Sequence, residues 1–211
     1  MALIRAIIIS YLIGSIPTAY IFGRIVKGVD IRKHGSGNVG ATNAFRVLGA
    51  GFGITVLLLD ALKGVVCVVN LADYVLGRGF ALNSLMLRVV LGLTAVAGHS
   101  WTVFLNFKGG KGMAVTLGVL VGLSIKFPVL RIILLAEIAL WLAVFLSSRI
   151  VSLASIVSAI AFPVFFIIFR QPPYLVLMSL ILSLLIVFRH KSNIFRLLRR
   201  QESRINFSRK S

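Results

Sequence analysis

Long apolar runs, each close to the length of a membrane-spanning helix, occupy most of this chain. A spanning helix needs about 20 apolar residues, and 59% of the 211 residues are hydrophobic. The runs are continuous rather than alternating with period two, which argues against a transmembrane β-barrel. The sequence therefore predicts an all-α integral membrane protein with about seven transmembrane helices, at about 3–25, 51–72, 84–105, 112–126, 129–147, 151–169 and 173–189.

The connections between these runs are too short to hold a separate soluble domain. We therefore expect residues 1–211 to form a single polytopic membrane domain, in which residues 194–211 are a basic cytoplasmic tail. The first apolar run is too long for a cleaved signal peptide and is predicted to be the first span. The single cysteine, Cys67, lies in an apolar run, so neither a disulfide framework nor a thiolate metal site is expected.

The 23 Lys and Arg residues, set against five Asp and Glu, predict the orientation of the chain. Sixteen of the basic residues fall in the segments 24–46, 107–111, 149 and 189–211, whereas six fall in the connections on the opposite side. Cytoplasmic loops carry the excess of Lys and Arg, so we expect the N-terminus outside and the C-terminus in the cytoplasm. The two glycine-rich loops then lie on the cytoplasmic side.

The first glycine-rich loop carries hydrogen-bond donors at a density that suggests an anion site. Backbone N–H groups in such loops can form an anion-binding concavity, and the guanidinium of Arg46 suits phosphate. A flexible polar connector is the alternative, because Asn and Ser are also ordinary turn residues. The candidate ligands here are Gly35, Ser36, Gly37, Asn38, Gly40, Thr42, Asn43 and Arg46.

The second glycine-rich loop, residues 107–112, places two lysines among three glycines. Lys111 could hold an ammonium against backbone N–H groups contributed by Gly109 and Gly110. The P-loop spacing is absent, because Lys111 is followed by glycine rather than by Ser or Thr, and nucleotide hydrolysis is therefore not expected. The alternative is that Lys108 and Lys111 only anchor a helix end at the membrane surface.

Two further polar groups occur in the C-terminal half. Ser152 and Ser155 share a helix face, where helix packing is as good an explanation as ligand binding, and Arg149 is either a ligand or an anchor. His190 and Asn193 follow the last span directly and are also three residues apart. The basic stretch that follows is expected to lie on the anionic leaflet or to be solvated.

Two charged positions fall inside predicted spans. Asp60 and Lys63 are three residues apart, so we expect them to neutralise each other as a structural pair rather than to form a proton relay. Glu137 lies near the middle of its run and is expected to face the protein interior.

The polar residues of the cytoplasmic side are donors and cations, which limits the chemistry they support. No carboxylate pair or His/Asp cluster is present there for metal catalysis, and no acid is placed for a Ser-His-Asp hydrolase. Donors and cations bind phosphate and stabilise developing negative charge. Two phosphorylated ligands are therefore expected to bind at Ser36, Arg46, Lys108, Lys111, Arg149, His190 and Asn193.

At these residues the chain resembles the bacterial acyl-phosphate:glycerol-3-phosphate acyltransferases. The resemblance rests on residues 35–43 with Arg46, on Gly98-His99 with residues 107–112 and Ala114, on residues 151–155, on residues 190–197, and on Asp60-x-x-Lys63-Gly64. The family usually has Pro where Thr102 stands and Gly-x-Glu where Arg200-Gln-Glu202 stands, and neither departure removes an expected phosphate ligand.

The resemblance implies an enzyme of the bacterial inner membrane that acylates the 1-hydroxyl of glycerol 3-phosphate. The donor would be a fatty acyl phosphate, the products lysophosphatidic acid and phosphate, and the active site cytoplasmic. No cofactor, metal or nucleic acid would take part, and the acyl chain would enter from the membrane lipid.

The residue roles that follow divide the motifs between the two substrates. The first set would hold the acyl phosphate: Ser36, Arg46, Lys111 and the loop glycines. The second would position glycerol 3-phosphate: Arg149, His190 and Asn193. Either His190 or the phosphate of the substrate itself would be the base. The alternative function is a small membrane transporter of anions or phosphate esters, which would predict hydropathy repeats and a site near the midplane.

Overall fold

A computed structural model describes residues 1–79 and 83–205 of the chain. Within these ranges every regular element is a helix and no strand is formed. The α-helices, in chain order, are α1 Ala2–Ser15, α2 Thr18–Lys27, α3 Ala41–Leu48, α4 Ala50–Val66, α5 Ala72–Leu76, α6 Ser84–Ser100, α7 Met113–Lys126, α8 Arg131–Ser148, α9 Val151–Ile168, α10 Pro173–Arg189 and α11 Lys191–Leu198. Residues 206–211 of the predicted tail lie outside the described residues.

Each of the seven predicted spans is found as helix, but not every one is long enough to cross a bilayer alone. Five helical segments have the necessary length and composition: Ala2–Lys27, Ala50–Leu76, Ser84–Leu105, Pro128–Ser148 and Val151–Ile168. A sixth is obtained if α10 and α11, which meet at a bend of 59°, count as one span. The helix α7 is apolar but shorter, so the count of seven and the orientation stay predictions.

The first predicted span is interrupted rather than continuous. Its helix stops at Ser15 and resumes at Thr18. Pro17 lacks a backbone N–H and restricts the residue before it to extended conformations, so Ile16 has φ −54° and ψ 115°. The break leaves the carbonyl of Ile16 free of the helix, and the Nζ of Lys63 donates a hydrogen bond to it at 2.6 Å.

The chain divides into two compact units, residues 1–128 and residues 129–211. In the first unit α1 packs along α6, and α4 packs along α7. Glycines make these approaches close: a Cβ added at Gly14 would overlap the backbone of Ala95, and one at Gly118 would overlap the backbone of Ala61. Small residues at helix contacts allow such approach in membranes, where packing rather than water exclusion drives association.

The predicted Asp60–Lys63 pair is confirmed, and it is part of a larger buried network in the first unit. The Nζ of Lys63 lies 2.5 Å from Oδ1 of Asp60 and also donates to the hydroxyl of Thr18. Thr18 in turn donates to the same carboxylate oxygen at 2.8 Å. Nδ1 of His99 lies 3.9 Å from that oxygen. The network ties the interruption at Pro17 to α4 and α6.

A second, partly buried charge cluster surrounds Asp73 at the start of α5. Its two carboxylate oxygens bind Arg88 and Lys126, which the charge count had assigned to the connections of the opposite side. The guanidinium of Arg88 also donates to the carbonyl of Val68 at 2.5 Å. That carbonyl belongs to the π-helical segment Cys67–Leu71, which joins α4 to α5. Widened turns of this kind release a backbone carbonyl for another donor.

The second unit is built around α9, which packs against α8 and α10. Glu137 on α8 is buried, as its position in the apolar run predicts. On the other faces of these helices large apolar side chains are exposed, among them Leu135, Leu146 and Leu184. Exposed apolar surface of this extent is the expected lipid-facing surface of a membrane helix.

Candidate active site

The first glycine-rich loop is held in shape by the side-chain amide of Asn43. This side chain is fully buried at the start of α3. Its Oδ1 accepts a hydrogen bond from the backbone N–H of Ser36 at 2.8 Å. Its Nδ2 donates to the carbonyls of Ile31 and His34, each at 3.1 Å. One amide therefore holds the backbone of residues 31–36 in a fixed conformation, with Ser36 at the tip of the loop.

The entrance of the same loop is ordered by Asp30. Its carboxylate accepts from the backbone N–H of Arg32 at 3.0 Å and from the guanidinium of that residue at 2.7 Å. The side-chain hydrogen bond from Arg32 holds the pKa of Asp30 well below its ordinary range. Nδ1 of His34 donates to the backbone carbonyl of Asp30 at 3.0 Å. An acid is thus present beside the loop, but its charge is neutralised by the ion pair with Arg32.

Two glycines are required by the conformation of this loop. Gly35 has φ +59° and Gly37 has φ +71°, which is the left-handed region that glycine reaches at no steric cost. A Cβ at Gly35 would also overlap Oδ1 of Asn43. Of the other predicted ligands, Ser36 and Arg46 are exposed, while Asn38 and Thr42 are half-buried. Two of these polar side chains therefore face outward, and the phosphate cradle stays a prediction.

The second glycine-rich loop lies directly on His99, near the end of α6. The N–H of Gly110 donates to the carbonyl of His99 at 3.0 Å, and the N–H of Gly109 donates to that of Ser100 at 3.2 Å. A Cβ at Gly109 would overlap the carbonyl of His99, and a Cβ at Gly110 would overlap its imidazole. Gly112 has φ +85° at the start of α7.

This packing gives the second loop a structural reason for its glycines that the sequence analysis did not supply. A plain membrane anchor would not need Gly109 and Gly110, whereas the close approach to His99 does need them. The lysines differ in exposure, because Lys108 is exposed and Lys111 is half-buried. Lys111 is the better placed of the two for a fixed role, and both stay predicted ligands.

Thr102 links the turn that follows α6 to α1. Its hydroxyl donates to the carbonyl of Ser15 at 2.5 Å and accepts from the N–H of Phe104 at 3.2 Å. It therefore caps the short 3₁₀ turn Val103–Leu105 and ties that turn to α1.

The two serines of the C-terminal half have different partners. Ser152 donates to Oε1 of Glu202 at 2.9 Å, whereas Ser155 accepts from the indole N–H of Trp141 at 3.3 Å. Arg149 ends α8 with φ +59° and has an exposed side chain. The structure therefore brings Ser152 into a polar cluster and gives Ser155 a helix-packing role, so that substrate binding by Ser155 is only a prediction.

His190 and Asn193 are both buried where α10 turns into α11. Nδ1 of His190 lies 2.8 Å from the carbonyl of Ile186. A carbonyl can only accept, so Nδ1 carries the hydrogen and Nε2 is the basic nitrogen of the neutral ring. The amide of Asn193 donates to Oε1 of Glu202 at 2.7 Å.

Glu202 is the functional candidate that the sequence analysis underestimated. Its carboxylate collects hydrogen bonds from Ser152, Asn193 and, at 2.6 Å, from Nε of Arg196, and the side chain is 3% exposed. Glu202 is therefore not solvated, whereas Arg196 pairs with it and stays partly exposed. Glu202 is the only acidic residue of the sequence after Glu137, and this isolation is the sequence feature that could have indicated a functional role.

Burial and hydrogen bonding act in opposite directions on Glu202. Burial alone would raise the pKa of this carboxyl, but the hydrogen bonds from Arg196, Asn193 and Ser152 outweigh burial and set its pKa below the ordinary value. Glu202 is therefore ionised at neutral pH. Arg200 precedes it with φ +55°, a conformation that suits glycine, and the chain then returns so that the N–H of Ile205 donates to the carbonyl of Arg149.

Among residues 1–79 and 83–205, no three His, Cys, Asp or Glu side chains come together in an arrangement that could hold a metal ion. The expectation that no metal takes part stays a prediction.

Comparison with known proteins points to one family. The family model of glycerol-3-phosphate acyltransferases matches residues 4–200. The glycerol-3-phosphate acyltransferase of Desulforudis audaxviator is 44% identical over 207 residues, which cover 98% of each chain. That of Fusobacterium nucleatum is 41% identical over 207 residues, which cover 98% of this chain and all of the relative.

Solved structures agree with the sequence comparison. The crystal structure of PlsY (YgiH), an integral membrane glycerol 3-phosphate acyltransferase, in its glycerol 3-phosphate form superposes with a TM-score of 0.84 at 37% identity, covering 98% of this chain and 96% of the other. The lysophosphatidic acid form gives a TM-score of 0.81. These matches confirm the predicted all-α integral membrane fold, and the chain belongs to the glycerol-3-phosphate acyltransferase family.

Proposed function

We propose that this protein transfers a fatty acyl group from an acyl phosphate to the 1-hydroxyl of glycerol 3-phosphate. The products are lysophosphatidic acid and inorganic phosphate. The hydroxyl oxygen attacks the acyl carbonyl carbon, the bond from that carbon to the phosphate oxygen breaks, and phosphate leaves with the electron pair. Family membership supports the acyltransferase activity, and the forms in which the related PlsY was crystallised support the acceptor and the product.

The observation that carries the donor assignment is the loop fixed by Asn43. Three hydrogen bonds of the Asn43 side chain hold the backbone of this loop in a fixed conformation. The exposed Ser36 lies between two glycines in the left-handed conformation. Preorganised N–H groups beside cations stabilise developing negative charge at no reorganisation cost during the reaction. Arg46 and Lys111 are the cations assigned to the departing phosphate. A carboxylate at the loop tip would oppose this role, and the nearby Asp30 is instead bound by Arg32.

The polar cluster of the second unit is assigned to the acceptor. Ser152 and Asn193 are held by a common carboxylate, and His190 presents Nε2 as its basic nitrogen. This arrangement supports His190 as the general base that takes the proton of the attacking hydroxyl. The exposed side chain of Arg149 is assigned to the phosphate of the acceptor.

The charge distribution supports the proposed localisation. Sixteen basic residues fall in the segments that hold the candidate site residues, against six in the opposite connections. The positive-inside rule then supports a multi-pass protein of the bacterial inner membrane with its active site on the cytoplasmic side.

The direct test is acyl transfer by the purified protein in detergent. The protein is incubated with palmitoyl phosphate and glycerol 3-phosphate, and lysophosphatidic acid and released phosphate are measured. We expect equal amounts of both products. A parallel reaction with palmitoyl-CoA in place of palmitoyl phosphate should give no product, because the proposed loop is assigned to a phosphate leaving group.

Two results would contradict the proposal at different levels. Full activity with palmitoyl-CoA alone would remove the donor assignment while leaving an acyltransferase. Absence of lysophosphatidic acid with either donor, together with uptake of glycerol 3-phosphate into proteoliposomes, would favour the transporter instead. The variants Arg46→Ala and Lys111→Ala test the site itself, and wild-type activity in either would remove that residue from it.

A further inference from the structure

A single carboxylate organises the donors of the second unit. Glu202 accepts from Ser152 at 2.9 Å and from Asn193 at 2.7 Å through the same oxygen, Oε1, while Oε2 accepts from Arg196 at 2.6 Å. The carboxyl is ionised at neutral pH, so it can only accept hydrogen bonds. It therefore dictates the direction of every hydrogen bond that reaches it.

For Ser152 this direction has a chemical consequence. A serine hydroxyl has one hydrogen and two lone pairs. Because the hydrogen points at Glu202, Ser152 can present only lone pairs to a ligand. A lone pair binds a hydroxyl hydrogen well and a phosphate oxygen badly, since both partners in the second case are acceptors.

Asn193 is constrained in the same way. An acceptor-only carboxylate requires the NH₂ end of the amide to face it, and Nδ2 is indeed the atom bonded to Oε1. The amide oxygen is then the end that faces away from Glu202. A serine and an asparagine are thus both set to accept hydrogen bonds. The nearby negative charge also disfavours a phosphate at this spot.

We propose that Glu202 is a positioning residue for the acyl acceptor, which sets Ser152 and Asn193 to accept hydrogen bonds from the hydroxyl groups of glycerol 3-phosphate. The inference rests on the proposed function and assigns recognition of the glycerol hydroxyls, rather than of the phosphate, to these two residues. The ion pair with Arg196 and the hydrogen bond between Ile205 and Arg149 keep the segment that carries Glu202 in place.

The test compares two acceptors that differ by one hydroxyl. Glycerol 3-phosphate has a 1- and a 2-hydroxyl, whereas 1,3-propanediol monophosphate keeps a primary hydroxyl for acylation and lacks the 2-hydroxyl. A site with acceptors aimed at a substrate hydroxyl strongly rejects the analogue that lacks it. For wild-type protein we expect kcat/KM to be at least about a hundredfold higher with glycerol 3-phosphate.

The informative variant is Glu202→Gln. The new amide has only one accepting oxygen, so its N–H must face either Ser152 and Asn193 or the guanidinium of Arg196, which breaks the contact that holds residue 202 in place. We expect the preference for glycerol 3-phosphate over the analogue to fall by about tenfold or more, while the KM for palmitoyl phosphate stays within about twofold of wild type. Glu202→Asp retains an acceptor-only group and should recover part of the preference. Arg204→Gln removes a charge from an exposed neighbour and should leave the preference unchanged.

Each outcome bears on the inference. An unchanged preference in Glu202→Gln would overturn it, as would a lower KM for glycerol 3-phosphate, because the carboxylate would then be occupying the place of the substrate phosphate. Equal losses toward both acceptors would show a structural role only. If Glu202→Gln does not fold, Ser152→Ala carries the same test and must lower the preference. A wild-type protein that makes no lysophosphatidic acid refutes the proposed function rather than this inference.

Discussion

The backbone N–H of Ser36 donates to the side chain of Asn43, seven residues later, at 2.8 Å. This hydrogen bond fixes the tip of the first glycine-rich loop to the start of α3. The same amide donates to the carbonyls of Ile31 and His34, so its loss removes the partner of the Ser36 N–H and one hydrogen bond from each of two carbonyls that also accept from the backbone.

We expect Asn43→Ala to lower kcat/KM with palmitoyl phosphate by at least about tenfold. Each of the three lost hydrogen bonds contributes about 0.5–1.5 kcal/mol, and their loss loosens the loop assigned to the donor. Asn43→Asp keeps the acceptor for the N–H of Ser36 and loses both donors, so its activity should lie between that of wild type and that of Asn43→Ala. Initial rates at varied palmitoyl phosphate measure the effect. The exposed Asn70 provides the control Asn70→Ala, and equal rates in all variants would contradict this role.

The contact between the second loop and His99 predicts that position 110 does not tolerate a side chain larger than that of glycine. We expect Gly110→Ala to abolish most activity, because its methyl group would overlap the imidazole of His99. Gly51→Ala is the matched control, since a Cβ there meets no atom within 4 Å and alanine favours the helix. Acyl transfer and thermal unfolding in detergent are measured for both. Wild-type activity in Gly110→Ala would show that the loop is free to shift.

The Asp60–Lys63 pair should show strong energetic coupling. Removing one member of a buried ion pair typically costs about 3–5 kcal/mol, because the other charge is left unpaired. We expect Asp60→Asn and Lys63→Met each to lower the free energy of unfolding by that order, and the double variant to cost less than the two together. Thermal or denaturant unfolding of the three variants in one detergent gives the coupling. Strict additivity would contradict the pairing.

The lowered pKa of Asp30 predicts how acid affects the first loop. A carboxyl whose folded pKa lies below its unfolded value stabilises the protein above the unfolded pKa and loses this effect as pH falls toward the folded one. The stability difference between wild type and Asp30→Asn should therefore be constant from about pH 8 to pH 5 and should shrink only below about pH 4. Unfolding temperatures measured across this pH series test the sign. A difference that shrinks near neutral pH would contradict it.

His190→Gln tests the base. If Nε2 of His190 takes the proton of the attacking hydroxyl, we expect kcat to fall by about 100-fold or more, which is the usual contribution of a general base. The KM for glycerol 3-phosphate should change much less. A loss in kcat below about tenfold would assign the proton to the phosphate oxygen of the substrate instead.

The helices could be predicted from the sequence because a bilayer demands long apolar runs, and each predicted run is helical. The interruption near Pro17 was missed because apolar residues flank it on both sides, so that composition does not reveal the turn. The short length of α7 was visible, but its place in the membrane depends on neighbours that a sequence does not show.

Only the part of the candidate site that is formed by neighbouring residues could be predicted from the sequence. Residues of the first loop are close in sequence, so their chemistry can be read locally, although Asn43 proved to act on the loop itself. Ser152 and Glu202 are 50 residues apart, and only the fold shows that they meet. His99 likewise explains the glycines of the second loop through a contact that spacing cannot reveal.

The glycine-lined approaches within the first unit also limit where hydrocarbon can go. Where α1 meets α6 at Gly14, and where α4 meets α7 at Gly118, the backbones leave no room even for a methyl group. A fatty chain is thicker than a methyl group, so neither seam can open to one without separating the helices. The fatty chain of the proposed acyl phosphate must therefore lie along another surface of the protein, and bulkier residues at these two seams should disturb assembly rather than the preferred chain length.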